Sequence, residues 1–93
     1  MSYIRSNKLK PNQFRITSKH PFFRNEYVIM DITEDCLIFS IPTIDYRGKS
    51  YKTHPCKHTK DFNALSITSE FMQEGRFDID LDDSDEDKLY IYF

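Results

Sequence analysis

Two stretches near the C-terminus alternate strictly between apolar and polar positions, the pattern of a β-strand with one buried and one solvated face. They are Arg76-Phe77-Asp78-Ile79-Asp80-Leu81-Asp82 and Lys88-Leu89-Tyr90-Ile91-Tyr92-Phe93. We expect Phe77, Ile79 and Leu81 to face the core together. Because the polar stretch between the two runs has the length of a hairpin loop, the pattern predicts a β-hairpin over residues 76–93.

Strand-like runs continue upstream of this hairpin. Residues 26–32 and 36–41 are rich in β-branched and aromatic side chains, and the polar residues 33–35 between them predict a second hairpin. Pro42 ends its second strand because proline cannot donate to a ladder, and residues 50–54 predict a more exposed strand. A helical turn is predicted over residues 70–74, with Ser69 as its N-cap, and residues 59–62 are a second candidate.

These elements predict one all-β domain over residues 1–93, built as a small barrel or roll of antiparallel hairpins with one or two short helical turns. A chain of 93 residues leaves little room for an enzyme active site, and two isolated glycines cannot form a phosphate-binding loop. We therefore expect a binding protein that is not an enzyme and that needs no cofactor.

The compartment is expected to be the cytoplasm. No apolar run approaches the ~20 residues of a membrane span, and the first residues lack the apolar segment of a secretory signal, so no membrane contact is expected. Cys36 and Cys56 are expected to be free thiols, with Cys36 buried among apolar neighbours. A disulfide between them stays open at this point because it depends on their distance in space.

The net charge of −2 conceals two regions of opposite sign. Residues 1–60 contain eleven Lys and Arg against five Asp and Glu, whereas residues 61–93 contain two against ten. Such a division is typical of a chain with two separate binding surfaces. It is equally compatible with two surfaces that attract each other, within the chain or between copies in a homo-oligomer.

An internal similarity relates residues 13–41 to residues 63–93. Phe14-Arg15-Ile16-Thr17-Ser18 resembles Leu65-Ser66-Ile67-Thr68-Ser69, and Leu37-Ile38-Phe39 resembles Leu89-Tyr90-Ile91. Each segment also contains a connector with phenylalanine, a further strand and an acidic turn. The two segments are therefore candidate pseudo-repeats.

The C-terminal segment resembles the AbrB/MazE-like (SpoVT-AbrB) swapped-hairpin family. The similarity lies in residues 63–71, 74–81 and 87–91, which place a strand, a short turn, Gly75 and a closing hairpin in the family's order. The resemblance implies a swapped-hairpin β-barrel, usually dimeric, that binds DNA as a transcriptional regulator or as an antitoxin. Thr68 stands where the family has proline, and Ser69-Glu70 replace the family's basic residue.

The basic residues are candidate ligands for nucleic-acid phosphates, since lysine and arginine interleaved with tyrosine suit phosphate neutralisation and base stacking. The alternative is a solvated strand edge that lysines protect from aggregation. The candidate nucleic-acid-binding residues are Lys8, Lys10, Arg15, Arg24, Arg47, Lys49 and Lys52.

The acidic residues of the C-terminal region are candidates for binding a basic protein partner. Simple solubilisation of one strand face is the alternative explanation. The candidate partner-binding residues are Asp78, Asp80, Asp82, Asp83, Asp85, Glu86 and Asp87.

Metal binding has only a weak candidate. His54, Cys56 and His58 alternate in His54-Pro55-Cys56-Lys57-His58, so an extended chain would place all three side chains on one side. A fourth ligand such as Asp61 would be needed, and the paired Cys-x-x-Cys spacing of zinc sites is absent, so we expect no metal site.

Together these features favour a small regulator or antitoxin that binds DNA through its basic residues and a protein through its acidic hairpin. The competing hypothesis is a stand-alone protein inhibitor or adaptor, such as a phage-encoded counter-defence protein or nucleic-acid mimic, that acts through the acidic face.

Overall fold

The computed structural model describes residues 2–42, 49–55 and 62–93, which form nine β-strands and one 3-10 turn. The turn is Pro21–Arg24. The strands are β1 (Tyr3–Lys10), β2 (Gln13–Ser18), β3 (Tyr27–Ile32), β4 (Cys36–Ser40), β5 (Ser50–Lys52), β6 (His54–Pro55), β7 (Asn63–Thr68), β8 (Gly75–Asp78) and β9 (Lys88–Tyr92). The predicted all-β class is confirmed.

The strands form two antiparallel sheets. One sheet has the order β6-β7-β2-β1-β8 and the other the order β5-β3-β4-β9. The chain passes from one sheet to the other between β5 and β6, where Thr53 donates its backbone N–H to the Glu26 carbonyl at 2.9 Å. An isolated β-bridge between Asp80 and Tyr90 is a second connection between the two sheets. Within the described residues no closed barrel is formed.

The hairpin predicted over residues 76–93 is wrong. β8 pairs with β1 in the five-stranded sheet, and β9 pairs with β4 in the four-stranded sheet. Residues 81–83 form a turn instead of continuing the strand. Asp80 starts this turn, because its Oδ1 accepts the backbone N–H groups of Asp82 and Asp83 at 3.0 and 3.1 Å. The alternating pattern identified the buried face of β8 but carried no information about its pairing partner.

The turn also changes the exposure of one predicted core residue. Ile79 is buried and Phe77 is partly buried, as expected, but 62% of Leu81 is exposed. Leu81 leaves the core because the chain turns directly after Asp80 and the alternation of faces ends there.

The upstream hairpin is confirmed, with β3 and β4 paired antiparallel across the turn at residues 33–35. The helical turn expected after Ser69 is absent. Ser69 Oγ does accept the backbone N–H groups of Phe71 and Met72 at 3.1 and 3.2 Å, but no helix follows these bonds. Gly75 begins β8 with φ of +138°, a conformation that other residues rarely adopt. The second candidate turn, residues 59–62, lies outside the described residues except for Phe62.

The core lies between the two sheets. Alternate residues of β2 and β7 face alternate residues of β4 and β9, and the 3-10 turn adds two phenylalanines. Phe23 is fully buried, with its ring edge-on to Phe22 at 5.4 Å and to Phe39 at 5.1 Å between centroids. Such aromatic pairs stabilise beyond the area they bury. Phe23 therefore fixes the 3-10 turn against the four-stranded sheet.

Replacing Phe23 tests this packing. We expect Phe23→Ala to lower the free energy of unfolding by about 3–5 kcal/mol, because both transfer energy and aromatic contacts are lost. Urea denaturation followed by circular dichroism measures the change, and Phe23→Leu serves if the alanine variant does not fold.

The matched control is Phe71→Ala, since 44% of Phe71 is exposed. Its effect should stay below about 0.5 kcal/mol. Equal destabilisation by Phe23→Ala and Phe71→Ala would contradict the assigned core.

Candidate nucleic-acid interface

The outer face of the five-stranded sheet is polar because its inner face supplies the core. Ile4 and Ser6 of β1 are buried, so Arg5 and Asn7 point outward. In β2, Phe14 and Ile16 are buried, so Arg15 also points outward.

Strand pairing brings three arginines together on this face. Arg5 lies directly opposite Arg76 in the β1–β8 pair. On the other side of β1, strand β2 places Thr17 opposite Arg5 and Arg15 opposite Asn7. Arg15 is therefore the diagonal neighbour of Arg5. Directly opposed Cβ atoms lie about 5 Å apart and diagonal ones about 7–8 Å. We call this outer surface, with Arg5, Arg15 and Arg76, the arginine face.

Arg76 interacts with an acidic and an aromatic side chain on this face. Arg76 lies 3.8 Å from Asp78, measured from Nη2 to Oδ1, with both side chains well exposed. Such an exposed ion pair contributes little. The Arg76 guanidinium also lies over the ring of Tyr3, with 4.1 Å from Cζ to the centroid. The tyrosine orients Arg76 without neutralising it.

The two sheets differ in charge. The strands of the five-stranded sheet contain five lysines and arginines against the single carboxylate of Asp78. The strands of the four-stranded sheet contain Lys52 and Lys88 against Asp31. The positive charge of the described strands is therefore concentrated on one sheet.

Two shallow pockets flank the arginines. One of about 550 Å³ is lined by Leu9, Arg15, His54 and Ser66, among others. The other, of about 420 Å³, is lined by Arg5 and Arg76 and also by the acidic Glu74. The face therefore offers positive charge together with concave surface.

The predicted basic residues are only partly gathered here. Lys8, Lys10 and Arg15 lie on β1 and β2, where the register shifts between Lys8 and Lys10. Lys49 lies 5.1 Å from the centroid of the Tyr51 ring, near the end of β7.

The remaining candidates lie elsewhere. Lys52 is in the four-stranded sheet, opposite Tyr27, and Arg24 is in the 3-10 turn. Arg47 is outside the described residues.

Arg5 and Arg76 were missed by the sequence prediction. Arg76 belongs to the acidic end of the chain, and Arg5 stands apart from the dense basic groups. The alternation around β8 indicated that Arg76 points outward, whereas residues 3–10 do not alternate and β1 was not predicted as a strand. Their proximity depends on β1 pairing with β8, a contact between residues about seventy positions apart.

The acidic candidates occupy a strand end and a loop. Asp78 ends β8, and the other six lie in residues 80–87, which we call the acidic loop. Asp85 Oδ1 accepts the backbone N–H groups of Asp87 and Lys88 at 2.7 and 2.9 Å. Tyr92 donates its hydroxyl to Asp83 Oδ2 at 2.9 Å. This hydrogen bond raises the pKa of Tyr92 to about 12, because it favours the protonated phenol.

The weak metal candidate is represented by one residue. His54 is exposed in β6, whereas Cys56 and His58 lie outside the described residues. In residues 2–42, 49–55 and 62–93 no three His, Cys, Asp or Glu side chains are grouped to hold a metal ion.

Cys36 is half-buried and free, and burial raises the pKa of its thiol. The alternative that the sequence left open, a disulfide between Cys36 and Cys56, involves Cys56, which lies outside the described residues. Among the described residues, no helix is long and apolar enough to cross a membrane.

Comparison with protein-family models, with curated proteins and with solved structures gives no match for this chain.

The protonation of His20 affects the stability of the 3-10 turn, because His20 is the N-cap of that turn. Its Nδ1 accepts the backbone N–H of Phe22 at 3.1 Å, and Ser18 Oγ accepts the backbone N–H of His20 at 3.1 Å. Burial lowers the pKa of His20, because desolvation disfavours the imidazolium ion. Protonation would also remove the acceptor for Phe22.

Lowering the pH should therefore destabilise the fold. The unfolded chain takes up a proton at the ordinary pKa of about 6.5, while the folded chain resists it, so stability falls as the pH drops through this range and below. We expect the thermal midpoint to fall less between pH 7 and pH 5 in His20→Asn, whose amide oxygen can accept the same bond. The control variant, at the exposed His54, is His54→Asn, which should retain the wild-type pH dependence. If the thermal midpoint of His20→Asn falls as much as that of the wild type between pH 7 and pH 5, the proposed role of His20 is refuted.

Proposed function

We propose that this chain is a small, non-enzymatic DNA-binding protein whose arginine face holds the phosphate backbone. The observation that carries the proposal is the direct opposition of Arg5 and Arg76 on exposed, paired strands. This pairing places two guanidinium groups side by side on the outer face of the sheet. Neighbouring positive charges of this kind attract the phosphate backbone of a nucleic acid.

The geometry of the arginine face suits a backbone rather than a single small anion. The three arginines lie on three adjacent strands, so the row spans roughly 10 Å at the ~4.8 Å strand spacing. Guanidinium groups bind phosphate through two parallel hydrogen bonds. Asn7 and Thr17, beside the arginines in the register, add neutral hydrogen-bonding groups. The pockets beside Arg5 and Arg15 give room for sugars or bases.

A more specific proposal is an AbrB/MazE-like regulator or antitoxin built from pseudo-repeats 13–41 and 63–93 as a roll of hairpins. The sequence similarity between the repeats places Arg15 with Ser66 and Ile38 with Tyr90. Both pairs are directly opposed in the structure, within β2–β7 and β4–β9 respectively. Equivalent strands that pair antiparallel about equivalent residues are expected around a two-fold axis. This register supports a pseudo-dimer within one chain. The two-fold relation covers only these strands, because β3 pairs with β4 whereas its counterpart β8 pairs with β1 and not with β9.

The arginines do not follow that pseudo-symmetry. Arg5 and Arg76 lie on β1 and β8 at one edge, and the opposite half of the face carries Ser66 and Thr68 on β7. DNA would therefore be held mainly by the β8-β1-β2 half. The alternative, a stand-alone inhibitor or adaptor acting through the acidic loop, predicts no binding to DNA.

A DNA titration tests the proposal. The probe is a fluorescein-labelled mixed-sequence duplex of about 20 base pairs, followed by anisotropy from ~50 to ~200 mM salt. Arg5→Ala/Arg76→Ala should weaken binding at least about tenfold. It should also reduce the slope of log affinity against log salt by about 2, one unit for each lost phosphate contact.

The matched control is Lys52→Ala/Lys88→Ala, which removes the same charge from the four-stranded sheet. It should retain most of the affinity, and both variants should keep the wild-type circular dichroism spectrum. No binding of the wild type at ~50 mM salt, or equal loss in the two double variants, would overturn the proposal.

A further inference from the structure

A second surface lies between the 3-10 turn and the acidic loop, apart from the arginine face. It is a pocket of about 420 Å³ between these two segments. Its apolar surface is supplied by the exposed side chains of Pro21 and Leu81, because Leu89 is fully buried and only 4% of Phe22 is exposed. Exposed apolar side chains in a pocket can accept the apolar part of a ligand.

Leu81 forms one wall of this pocket. Leu81 is 62% exposed, and an aspartate stands on each side of it in the chain. A single exposed leucine is common on protein surfaces. Here, however, the leucine lines a pocket together with the exposed Pro21, and clustered apolar side chains are typical of a docking surface.

The rim of the pocket is acidic. Asp85 and Glu86 line it, within a loop that carries six carboxylates in residues 80–87. Between the described side chains, the ion pair within 4 Å is Arg76–Asp78, and neither residue belongs to this loop. The rim therefore favours a cationic ligand and repels nucleic acid.

The loop is already ordered for binding. Asp80 and Asp85 close its turns, and Ser84 Oγ accepts the backbone N–H of Tyr90 at 2.9 Å. Tyr92 holds Asp83 from the four-stranded sheet. Because these bonds fix the rim before a ligand arrives, less conformational entropy is lost on association.

His20 adds a donor to the pocket. Its Nδ1 accepts a hydrogen bond from Phe22, so the neutral ring carries its proton on Nε2. His20 lines the pocket and can donate to a carbonyl oxygen of a bound peptide.

We propose that this pocket docks a basic, leucine-bearing segment of a protein partner, with its apolar side chain against Leu81 and Pro21 and its arginine or lysine at Asp85 and Glu86. The combination of exposed apolar side chains and an acidic rim matches both parts of such a segment. The site is separate from the arginine face, so its occupation does not depend on DNA binding.

The test uses a fluorescein-labelled dodecapeptide of alternating arginine and leucine, with an arginine–serine peptide of equal charge for comparison. The wild-type protein should bind the first at least about tenfold more tightly than the second. Leu81→Ser should remove most of that preference, and Glu86→Gln should weaken binding and its salt dependence. Both side chains are exposed, so the fold should survive both changes.

Leu9→Ser and Glu34→Gln are matched controls, since they make the same changes at exposed sites outside the pocket. They should bind the peptide like the wild type, as should Arg5→Ala/Arg76→Ala. Equal affinity for the two peptides, or no effect of Leu81→Ser, would overturn the proposal. Wild-type dimerisation abolished by Leu81→Ser in sedimentation would also overturn it, in favour of a second copy as the occupant.

Discussion

The structure depends on the burial of one face of each sheet against the other. The two sheets are two packed layers around one core, and most strands contribute alternate side chains to it. Ile16 and Ile67 on one sheet and Leu37 and Ile91 on the other belong to that core. The remaining side chains of every strand must then face outward. Which charges become neighbours on the surface is consequently decided by strand order and register.

Strand order converts a nearly neutral chain into a molecule with two distinct surfaces. β1 pairs with β8, which moves Arg76 from the acidic end of the sequence to a position beside Arg5. The turn after Asp80 directs the acidic loop away from the ladder, so its carboxylates gather beside the 3-10 turn. A polyanion and a basic protein segment would thus bind at different places. Simultaneous binding is what a DNA-bound regulator with a protein partner requires.

The sequence identified strands more successfully than it identified pairing partners. The β3–β4 hairpin was predictable because a short polar turn separates two apolar strands, so the contact is local. β8 was recognisable as a strand, but its partner β1 lies at the other end of the chain, and alternation does not encode that contact. Arg5 shows the consequence, because it lies opposite Arg76 only through this long-range pairing. Leu81 is a different case, since it leaves the core at the local turn that Asp80 starts.

Binding of DNA to the arginine face is tested most directly by amide chemical shifts of ¹⁵N-labelled protein during titration with a DNA duplex. The largest shifts should fall on adjacent strands of one sheet, at Tyr3, Arg5, Arg15 and Arg76. The amides of β3 and β4 should move little. Shifts concentrated in the four-stranded sheet or the acidic loop, or no shifts at low salt, would contradict it.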